Sequence, residues 1–335
     1  MADQLFTLLA VVVILTLIFD YINGFHDAAN AIATVVSTRA LSPIVAVTYG
    51  AVLNLAGALI GTKVAATIGS GLVQTNALTI HTVLFTVIGA IIWNLITWYK
   101  GLPTSSSHAI IGSLLGAAYF SAPGTEDSIL WGKLTEKVLV PMIASPVLGI
   151  CGGFLMMLTV LWVVRKLTPH TVNRAFSKLQ IFSSGFMALN HGHNDAQKSM
   201  GIIALALMLS NPGQEFHVPT WVIVSCAVAM GLGTMSGGWR IIRTLGGKMM
   251  HLDPAHGFAA EMTASTIIAG ASHFGIPVST THVITTSIMG VGTTQRLSAV
   301  RWGVVGNIVW AWVLTIPLTF ALSGTLMWLY RALSS

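Results

Sequence analysis

Two polar motifs each occur twice in this sequence, in the same order and with similar spacing. An acidic motif at 24–30 returns at 192–198, and a hydroxyl-rich motif at 101–108 returns at 275–282. Carboxylate and amide oxygens bind hard cations, whereas hydroxyls and free backbone N–H groups bind anions that carry several acceptor oxygens. We therefore expect the two halves of the chain to build one central site that holds an anion together with cations.

Each hydroxyl motif starts with Gly-x-Pro, which favours a sharp turn followed by the first turn of a helix. The hydroxyls would then lie beside free N–H groups at the positive end of that helix, an arrangement that binds anions. The predicted anion-binding residues are Ser105, Ser106, Ser107, Ser279, Thr280 and Thr281. Ser and Thr in membrane helices also bond a carbonyl one turn back or join two helices, but the matched pair of clusters favours the anion site.

The acidic motifs place Asp27 and Asp195 at the same repeat position, within apolar surroundings. An ionised carboxylate in a membrane segment is costly and usually marks a functional site, although a local Lys or a helix end can also pair with it. With Asn30 and Asn194, the two aspartates offer oxygen ligands for Na⁺ or a divalent metal ion, and they could instead take protons. Because two carboxylates repel an anion in a low-dielectric site, anion entry should be coupled to cation entry.

The composition requires helices that cross a membrane. Of the 335 residues only 8% are charged and 54% are apolar, a balance that is not typical of a soluble domain. Apolar stretches close to or above the length of about 20 residues that spans a bilayer occur at 5–22, 43–68, 80–99, 138–164 and 302–330. Lys and Arg lie mainly at segment ends, which the positive-inside rule explains, and they form no face that would bind nucleic acid. We therefore predict an all-α polytopic membrane protein whose partner is the lipid bilayer.

The duplicated motifs divide the chain into two transmembrane repeats, 1–164 and 179–335, joined by a basic cytoplasmic linker at 165–178. Corresponding loops differ in charge, because 69–79 contains no Lys or Arg whereas 238–251 contains several. Basic loops stay in the cytoplasm, so the two repeats should have opposite orientations in the membrane. Inverted-topology repeats with broken or re-entrant helices are the architecture of secondary transporters, in which a central site opens alternately to each face.

The same motifs resemble those of the inorganic phosphate transporter (PiT) family, in its bacterial form and over almost the whole chain. Gly-Phe-His-Asp-Ala-Ala-Asn-Ala and His-Gly-His-Asn-Asp-Ala-Gln-Lys resemble the repeated acidic signature, and Leu-Pro-Thr-Ser-Ser-Ser-His and Ile-Pro-Val-Ser-Thr-Thr-His resemble the paired hydroxyl motifs. The resemblance implies a multi-pass homodimer of the inner (plasma) membrane that imports inorganic phosphate by cation-coupled symport. It also implies a coupling role for Glu261, with Asn54 standing where the first-half counterpart of that glutamate would be.

Lys198 stands where the first acidic motif has Asn30. We expect its ammonium to take the place of one coupling cation near Asp195 and the bound anion. Bacterial relatives of this form include proton-coupled carriers of metal-phosphate complexes, so H⁺ is favoured over Na⁺, and Mg²⁺ or another divalent ion could travel with phosphate. No cofactor is expected. A phosphate or anion channel and a carrier of another oxyanion such as sulfate are the alternatives, whereas an enzyme is not expected because nothing orders a nucleophile, a base and an orienting group.

Overall fold

Helices form most of the chain in a computed structural model that describes residues 2–122, 124, 128–211 and 213–334. Within these ranges the β-structure consists of one isolated bridge between Val73 and Ile129. The first half contains α1 (Ala2–Ser37), α2 (Pro43–Ala58), α3 (Lys63–Ser70), α4 (Ile80–Lys100), α5 (Ser106–Tyr119), α6 (Trp131–Leu134) and α7 (Val140–Val164). The second half contains α8 (Pro169–Ser210), α9 (Thr220–Ser236), α10 (Trp239–Arg243), α11 (Pro254–His273), α12 (Thr280–Thr293) and α13 (Trp302–Ser334). Short π-helical segments follow α6 at Thr135–Leu139 and α10 at Thr244–Lys248.

The order of helices in the first half repeats in the second half. A long helix that carries the acidic motif comes first (α1, α8), and a bent pair follows (α2 with α3, α9 with α10). The pairs bend by 71° and 56°, respectively. Each half then has a helix, a break at the hydroxyl motif, a short helix and a long final helix. The all-helical membrane architecture predicted from the sequence is confirmed, and the inverted relation of the repeats stays a prediction.

Several of these helices are long and apolar enough to cross a membrane. Within the described residues, four helical stretches meet that criterion, namely 3–37, 80–100, 131–164 and 302–334, and up to six do so if each bent pair counts as one span. The two acidic motifs lie inside continuous helices, because α1 extends over 36 residues and α8 over 42. The helix breaks instead occur at the bent pairs and at the hydroxyl motifs.

The two halves interlock, because helices of one half pack against helices of the other. α1 packs on α9 and α2 packs on α8, while α5 packs on α13 and α12 packs on α7. At the crossing of α2 and α8 the contact is reciprocal: a Cβ on Gly57 would lie 1.9 Å from the Leu189 carbonyl oxygen, and one on Gly192 would lie 2.0 Å from that of Asn54. Glycine at both positions is what allows the helix backbones to touch.

The predicted cytoplasmic linker at 165–178 is helical over most of its length. From Pro169 onward it forms the first turns of α8, where the Thr168 side chain accepts a hydrogen bond from the Thr171 N–H and caps the helix. Proline in the first turn suits a helix start, because its missing N–H would have had no partner there. The boundary between the two halves is therefore the short turn before Pro169, and its cytoplasmic location stays a prediction.

Candidate functional site

The hydroxyl motifs form two helix N-termini that meet near the centre of the protein. Gly101 and Gly275 both adopt left-handed backbone conformations, with φ of 66° and 67°, which turn the chain before α5 and α12. Glycine suits both positions because the left-handed region is strained for residues that carry a Cβ. The imidazole rings of His108 and His282, one on each short helix, pack edge to face with their centroids 4.8 Å apart.

Three of the six predicted anion-binding hydroxyls have structural partners. The Ser105 hydroxyl accepts a hydrogen bond from the His108 N–H at 3.2 Å and so caps α5, and Ser279 caps α12 in the same way through His282 at 3.1 Å. The Ser107 hydroxyl donates to the Val278 carbonyl at 3.1 Å and ties the two motifs together. These residues shape the two helix ends, which leaves three hydroxyls to contact the acidic motifs.

Asp27 contacts hydroxyls from both halves of the chain. The Ser106 hydroxyl donates to its Oδ2 at 2.8 Å, and the Thr281 hydroxyl donates to its Oδ1 at 3.4 Å. One turn further along α1, the Asn30 amide donates to Thr281 at 2.9 Å and to Thr280 at 3.2 Å. The first acidic motif therefore faces the helix N-termini of both halves, as the sequence predicts.

Asp195 and Lys198 complete the cluster from α8. The Lys198 ammonium lies 2.8 Å from Asp195 Oδ2 and donates to the Ser106 hydroxyl at 3.3 Å, while the Thr280 hydroxyl donates to Asp195 at 3.4 Å. Lys198 thus bonds the hydroxyl helix of the first half, and its repeat counterpart Asn30 bonds that of the second half. All of these side chains are at most 2% exposed, so the site is closed to solvent.

Each of the two aspartates also contacts a histidine side chain. His26 Nδ1 lies 2.8 Å from Asp27 Oδ1, and its Nε2 lies 3.0 Å from the Thr97 hydroxyl. His191 Nε2 lies 3.6 Å from Asp195, and its Nδ1 lies 3.0 Å from the Asn54 amide oxygen. Such partners fix the orientation of the carboxylates.

Asp27, His191 and Asp195 could together hold a metal ion, because one ligand atom of each lies within 4.8 Å of the others. Asp195 Oδ1 and His191 Nε2 make no hydrogen bond within the described part of the chain. This donor set fits a small cation, since carboxylate oxygens and imidazole are both common ligands. The structure brings together the metal-ligand pair predicted from the sequence, and His191, one of the histidines near the motifs, is a third candidate ligand.

Two predicted coupling residues lie outside this cluster. The Asn194 amide donates to the Ser272 hydroxyl of α11 at 2.8 Å. Glu261 accepts hydrogen bonds from Thr34 and Ser183, and from the Gln180 amide at 3.2 Å. Asn194 was grouped with the aspartates because it belongs to the acidic motif, and Glu261 because the family resemblance implied it. Neither basis shows which side of a helix faces the site.

The suggested correspondence between Asn54 and Glu261 is wrong. Asn54 lies on α2, whose position in the order of helices is matched by α9, whereas Glu261 lies on α11, which matches α4. The Asn54 amide donates to the Thr234 hydroxyl of α9 at 2.8 Å and orients His191 through its oxygen. The sequence lacks a motif at these positions, so their register becomes visible only once the helix boundaries are known.

Sequence reasoning also missed Asp20, a fully buried carboxylate on α1. It lies two turns before Asp27 and on the same side of the helix, because residues seven apart nearly superimpose along the axis. The signal that could have found it is plain: within the apolar stretch at 5–22 it is the one charged residue. It was overlooked because no second motif copy repeats it.

Comparison with known proteins identifies the family. The model of a family described as "Phosphate transporter family" matches residues 23–172 and 165–323. The chain is 46% identical, over 94% of each sequence, to a "Probable low-affinity inorganic phosphate transporter" of Rhizobium meliloti (strain 1021), and 44% identical, over 96% of each, to a protein of the same description from Bacillus subtilis (strain 168). Among solved structures, it matches "The sodium-dependent phosphate transporter" with a TM-score of 0.88 and 25% identity, over 97% of this chain and 99% of that one.

These matches agree with the resemblance that the motifs suggested, and they agree with a multi-pass protein of the bacterial plasma membrane. They also agree with the absence of an enzymatic function, which the sequence predicts from its lack of an ordered catalytic set. The family match extends over both acidic motifs and both hydroxyl motifs. The chain belongs to the phosphate transporter family.

Proposed function

We propose that this protein imports inorganic phosphate as a cation-coupled symporter that works by alternating access. The observation that carries the proposal is the closed central cluster, in which hydroxyls at two helix N-termini contact two buried aspartates. An anion site and a cation site therefore share the same side chains. Such a shared site suits a carrier that must bind both ions before it changes conformation.

Phosphate would compete with the aspartates for the same donors. In the closed cluster the hydroxyls of Ser106, Thr280 and Thr281 donate to Asp27 or Asp195. A phosphate at the two helix ends would take these hydroxyls and the free N–H groups as its own donors. The carboxylates would then lose donors just as a further negative charge arrives, and buried charge without a partner is strongly unfavourable. Cations must enter with phosphate to restore the balance.

Lys198 supplies one fixed positive charge to this balance. Its ammonium already bonds Asp195 and lies beside the Ser106 hydroxyl that phosphate would use. In the second half it occupies the position at which the first half has the neutral Asn30. We propose that Lys198 replaces one coupling cation and that the cations that still have to bind are protons rather than Na⁺.

Na⁺ and a divalent ion are the alternatives for coupling. The similar solved structure is described as sodium-dependent. The Asp27, His191 and Asp195 group offers a place where Na⁺, or a Mg²⁺ ion travelling with phosphate, would find ligands.

Uptake of radiolabelled phosphate into proteoliposomes, under separately imposed Na⁺ and pH gradients with and without Mg²⁺, tests the proposal. We expect an inward proton gradient to drive accumulation above the external concentration, and Mg²⁺ to increase it if a metal-phosphate complex is carried. Accumulation driven by Na⁺ alone would retain symport and reject the proton. Entry that only equilibrates phosphate under every gradient would reject symport.

We further propose that phosphate is selected over sulfate by hydrogen-bond chemistry. At neutral pH phosphate keeps a protonated oxygen that could donate to Asp27 or Asp195, whereas sulfate can only accept hydrogen bonds. Arsenate, which is also protonated, should compete with labelled phosphate. Inhibition by sulfate at equal potency would contradict this basis for selection.

We also propose that the two halves are inverted and that the protein is a homodimer. The inverted relation of the halves at 1–164 and 179–335 rests on charge. In helix order α10 and the π-helical segment after it, with Arg240, Arg243 and Lys248, match α3, whose basic residue is Lys63. The homodimer rests on the family resemblance. Labelling of single cysteines in these two segments from either side of the membrane tests the first, and the mass of the purified protein in detergent tests the second.

A further inference from the structure

Asp20 is a buried carboxylate whose charge has no hydrogen-bonded partner. Its relative exposure is 0%, and no described residue donates to either of its oxygens with hydrogen-bond geometry. One turn along the same helix, the Asn23 amide is also fully buried and makes no hydrogen bond within the described part of the chain. Buried polar groups in native proteins are normally paired, so this polar site calls for an explanation.

The groups that face Asp20 come from two neighbouring helices. The Ser199 hydroxyl of α8 and the Cys226 thiol of α9 lie beside the carboxylate. Asp195 and Lys198, both on α8, are the charged groups near enough to act on it. The Lys198 ammonium itself contacts Asp195 and Ser106, so it is not bonded to Asp20. Asp20 therefore lies next to the central cluster without being part of it.

The internal repeat shows that the surroundings of this carboxylate differ between corresponding positions. Aligning Asp27 with Asp195 pairs Asp20 with Ala188, and it pairs Ser199 with Ala31. Both alanines are fully buried in the hydrophobic core. The group formed by Asp20, Ser199 and Lys198 therefore draws on both halves, and the repeat-related residues are two alanines and the neutral Asn30.

A buried carboxylate that forms no ion pair and has only neutral donors beside it is favoured in its neutral form, because a buried ion costs several kcal/mol. Among the described residues, the group of carboxylates and imidazole able to hold a metal ion is Asp27, His191 and Asp195 and does not include Asp20, whereas a proton makes the Asp20 carboxyl neutral. A protonated carboxyl also fits its neighbours, because its O–H can be donated to the hydroxyl oxygen of Ser199. The site is therefore suited to a proton.

We propose that Asp20 carries the coupling proton of transport, an inference that rests on the proposed phosphate symport. In the outward-open state hydronium transfers a proton to Asp20: an O–H bond of hydronium breaks and an O–H bond to the carboxylate forms. In the inward-open state the carboxyl O–H bond breaks and water takes the proton as hydronium. Protonated Asp20 leaves Lys198 free to balance phosphate and Asp195, whereas ionised Asp20 attracts Lys198 away from them.

Proteoliposomes containing the full-length protein, its Asp20→Asn variant or the control variant Glu136→Gln test the proposal. Glu136 pairs with Lys137 on the surface and its side chain is 71% exposed, so its loss removes an acid without touching the site. Two readouts are needed: exchange of labelled for unlabelled phosphate at equal pH, and accumulation driven by an inward pH gradient. One pH unit should raise the accumulation ratio about tenfold per coupled proton.

We expect Asp20→Asn to keep exchange and to lose the response to pH, so that its accumulation ratio falls to that found without a gradient. Glu136→Gln should behave as the unmodified protein. Full pH-driven accumulation by Asp20→Asn would overturn the role of Asp20 and leave the proposed symport intact. If the unmodified protein responds only to Na⁺, the proton assignment falls while phosphate symport stands.

A second variant keeps the proposal testable if Asp20→Asn does not fold. Asp20→Glu keeps a carboxyl group but moves it by one methylene, so it should retain pH-driven accumulation with a displaced pH profile. The same profile as the unmodified protein would contradict proton binding at this residue. If neither variant exchanges phosphate, Asp20 is required for the structure and its assignment as a proton carrier is rejected.

Discussion

Lys198 is the residue in which the two halves of the site differ most in charge. It bonds Asp195 at 2.8 Å and Ser106 at 3.3 Å, whereas its counterpart Asn30 bonds two threonine hydroxyls. The ammonium is fully buried and belongs to the cluster in which we propose that phosphate binds. The Lys198 ammonium would then replace a cation that otherwise has to bind from solution.

Replacing Lys198 by Asn should convert the site toward dependence on Na⁺. Loss of a bond to a charged group costs about 1.5–3 kcal/mol, so we expect the KM for phosphate to rise at least tenfold without Na⁺ and to recover partly when Na⁺ is added. Phosphate uptake at several Na⁺ concentrations measures this. Lys166→Asn, on the exposed segment before α8, is the matched control and should have no effect. Unchanged dependence on Na⁺ and pH in Lys198→Asn would reject the substitution of a cation by Lys198.

Neighbouring serines of one motif should separate into two roles. Ser106 bonds Asp27 and Lys198, whereas Ser105 caps α5 through the His108 N–H. Loss of an N-cap costs about 1 kcal/mol of stability. We therefore expect Ser105→Ala to lower the thermal unfolding midpoint with a small change in KM, and Ser106→Ala to raise the KM with a small change in the midpoint.

Thermal unfolding in detergent and phosphate uptake, measured on both variants, provide the comparison. Ser279→Ala should resemble Ser105→Ala, because it caps α12 in the same way. An equal rise in KM in all three variants would mean that the capping serines also contact phosphate. An equal loss of stability would mean that Ser106 also serves mainly to hold the helix end.

At the scale of elements, the crossing of α2 and α8 holds the two halves together. Gly57 and Gly192 face the backbone of the opposite helix, where a Cβ would lie 1.9 Å and 2.0 Å from a carbonyl oxygen. The same helices position His191 and Asp195, so a displaced crossing would also move the site. Interhelical contact and site geometry depend on the same glycines.

Gly57→Ala and Gly192→Ala should both destabilise the protein. Forcing a methyl group into a packed interface costs about 1–3 kcal/mol, which should appear as a lower thermal unfolding midpoint and a reduced transport rate. Gly303→Ala is the control, because a Cβ on that helical residue would meet no atom within 4 Å. A midpoint equal to that of the control would show that the α2–α8 crossing can separate without cost.

The sequence predicted those features of the fold that depend on residues close together in the chain. Long apolar stretches gave the membrane helices, and Gly-x-Pro gave the two turns before α5 and α12. The partners of the hydroxyls could not be predicted, because Ser105 and Ser106 are adjacent in the chain and differ only in which way they point. Asp20 was missed for a related reason: the neighbours of its carboxylate are on α8 and α9, and the sequence alone does not show that these helices pack against it.

For the molecule as a whole, the decisive feature is that the central cluster is closed to solvent. Each aspartate, hydroxyl and ammonium in it is at most 2% exposed, so these side chains are shielded from solvent. A channel needs an open path while ions flow. A carrier instead passes through a closed state in every cycle.

Exchange should therefore be faster than net movement. In proteoliposomes loaded with unlabelled phosphate we expect labelled phosphate to enter several times faster than in empty ones, because a loaded site returns more readily than a site with two unbalanced carboxylates. Loading with sulfate is the control and should give no acceleration. Equal entry into loaded and empty vesicles would indicate a channel, whereas acceleration by sulfate would indicate a carrier of oxyanions in general. Acceleration by phosphate but not by sulfate would indicate that one site both selects phosphate and opens alternately to the two membrane faces.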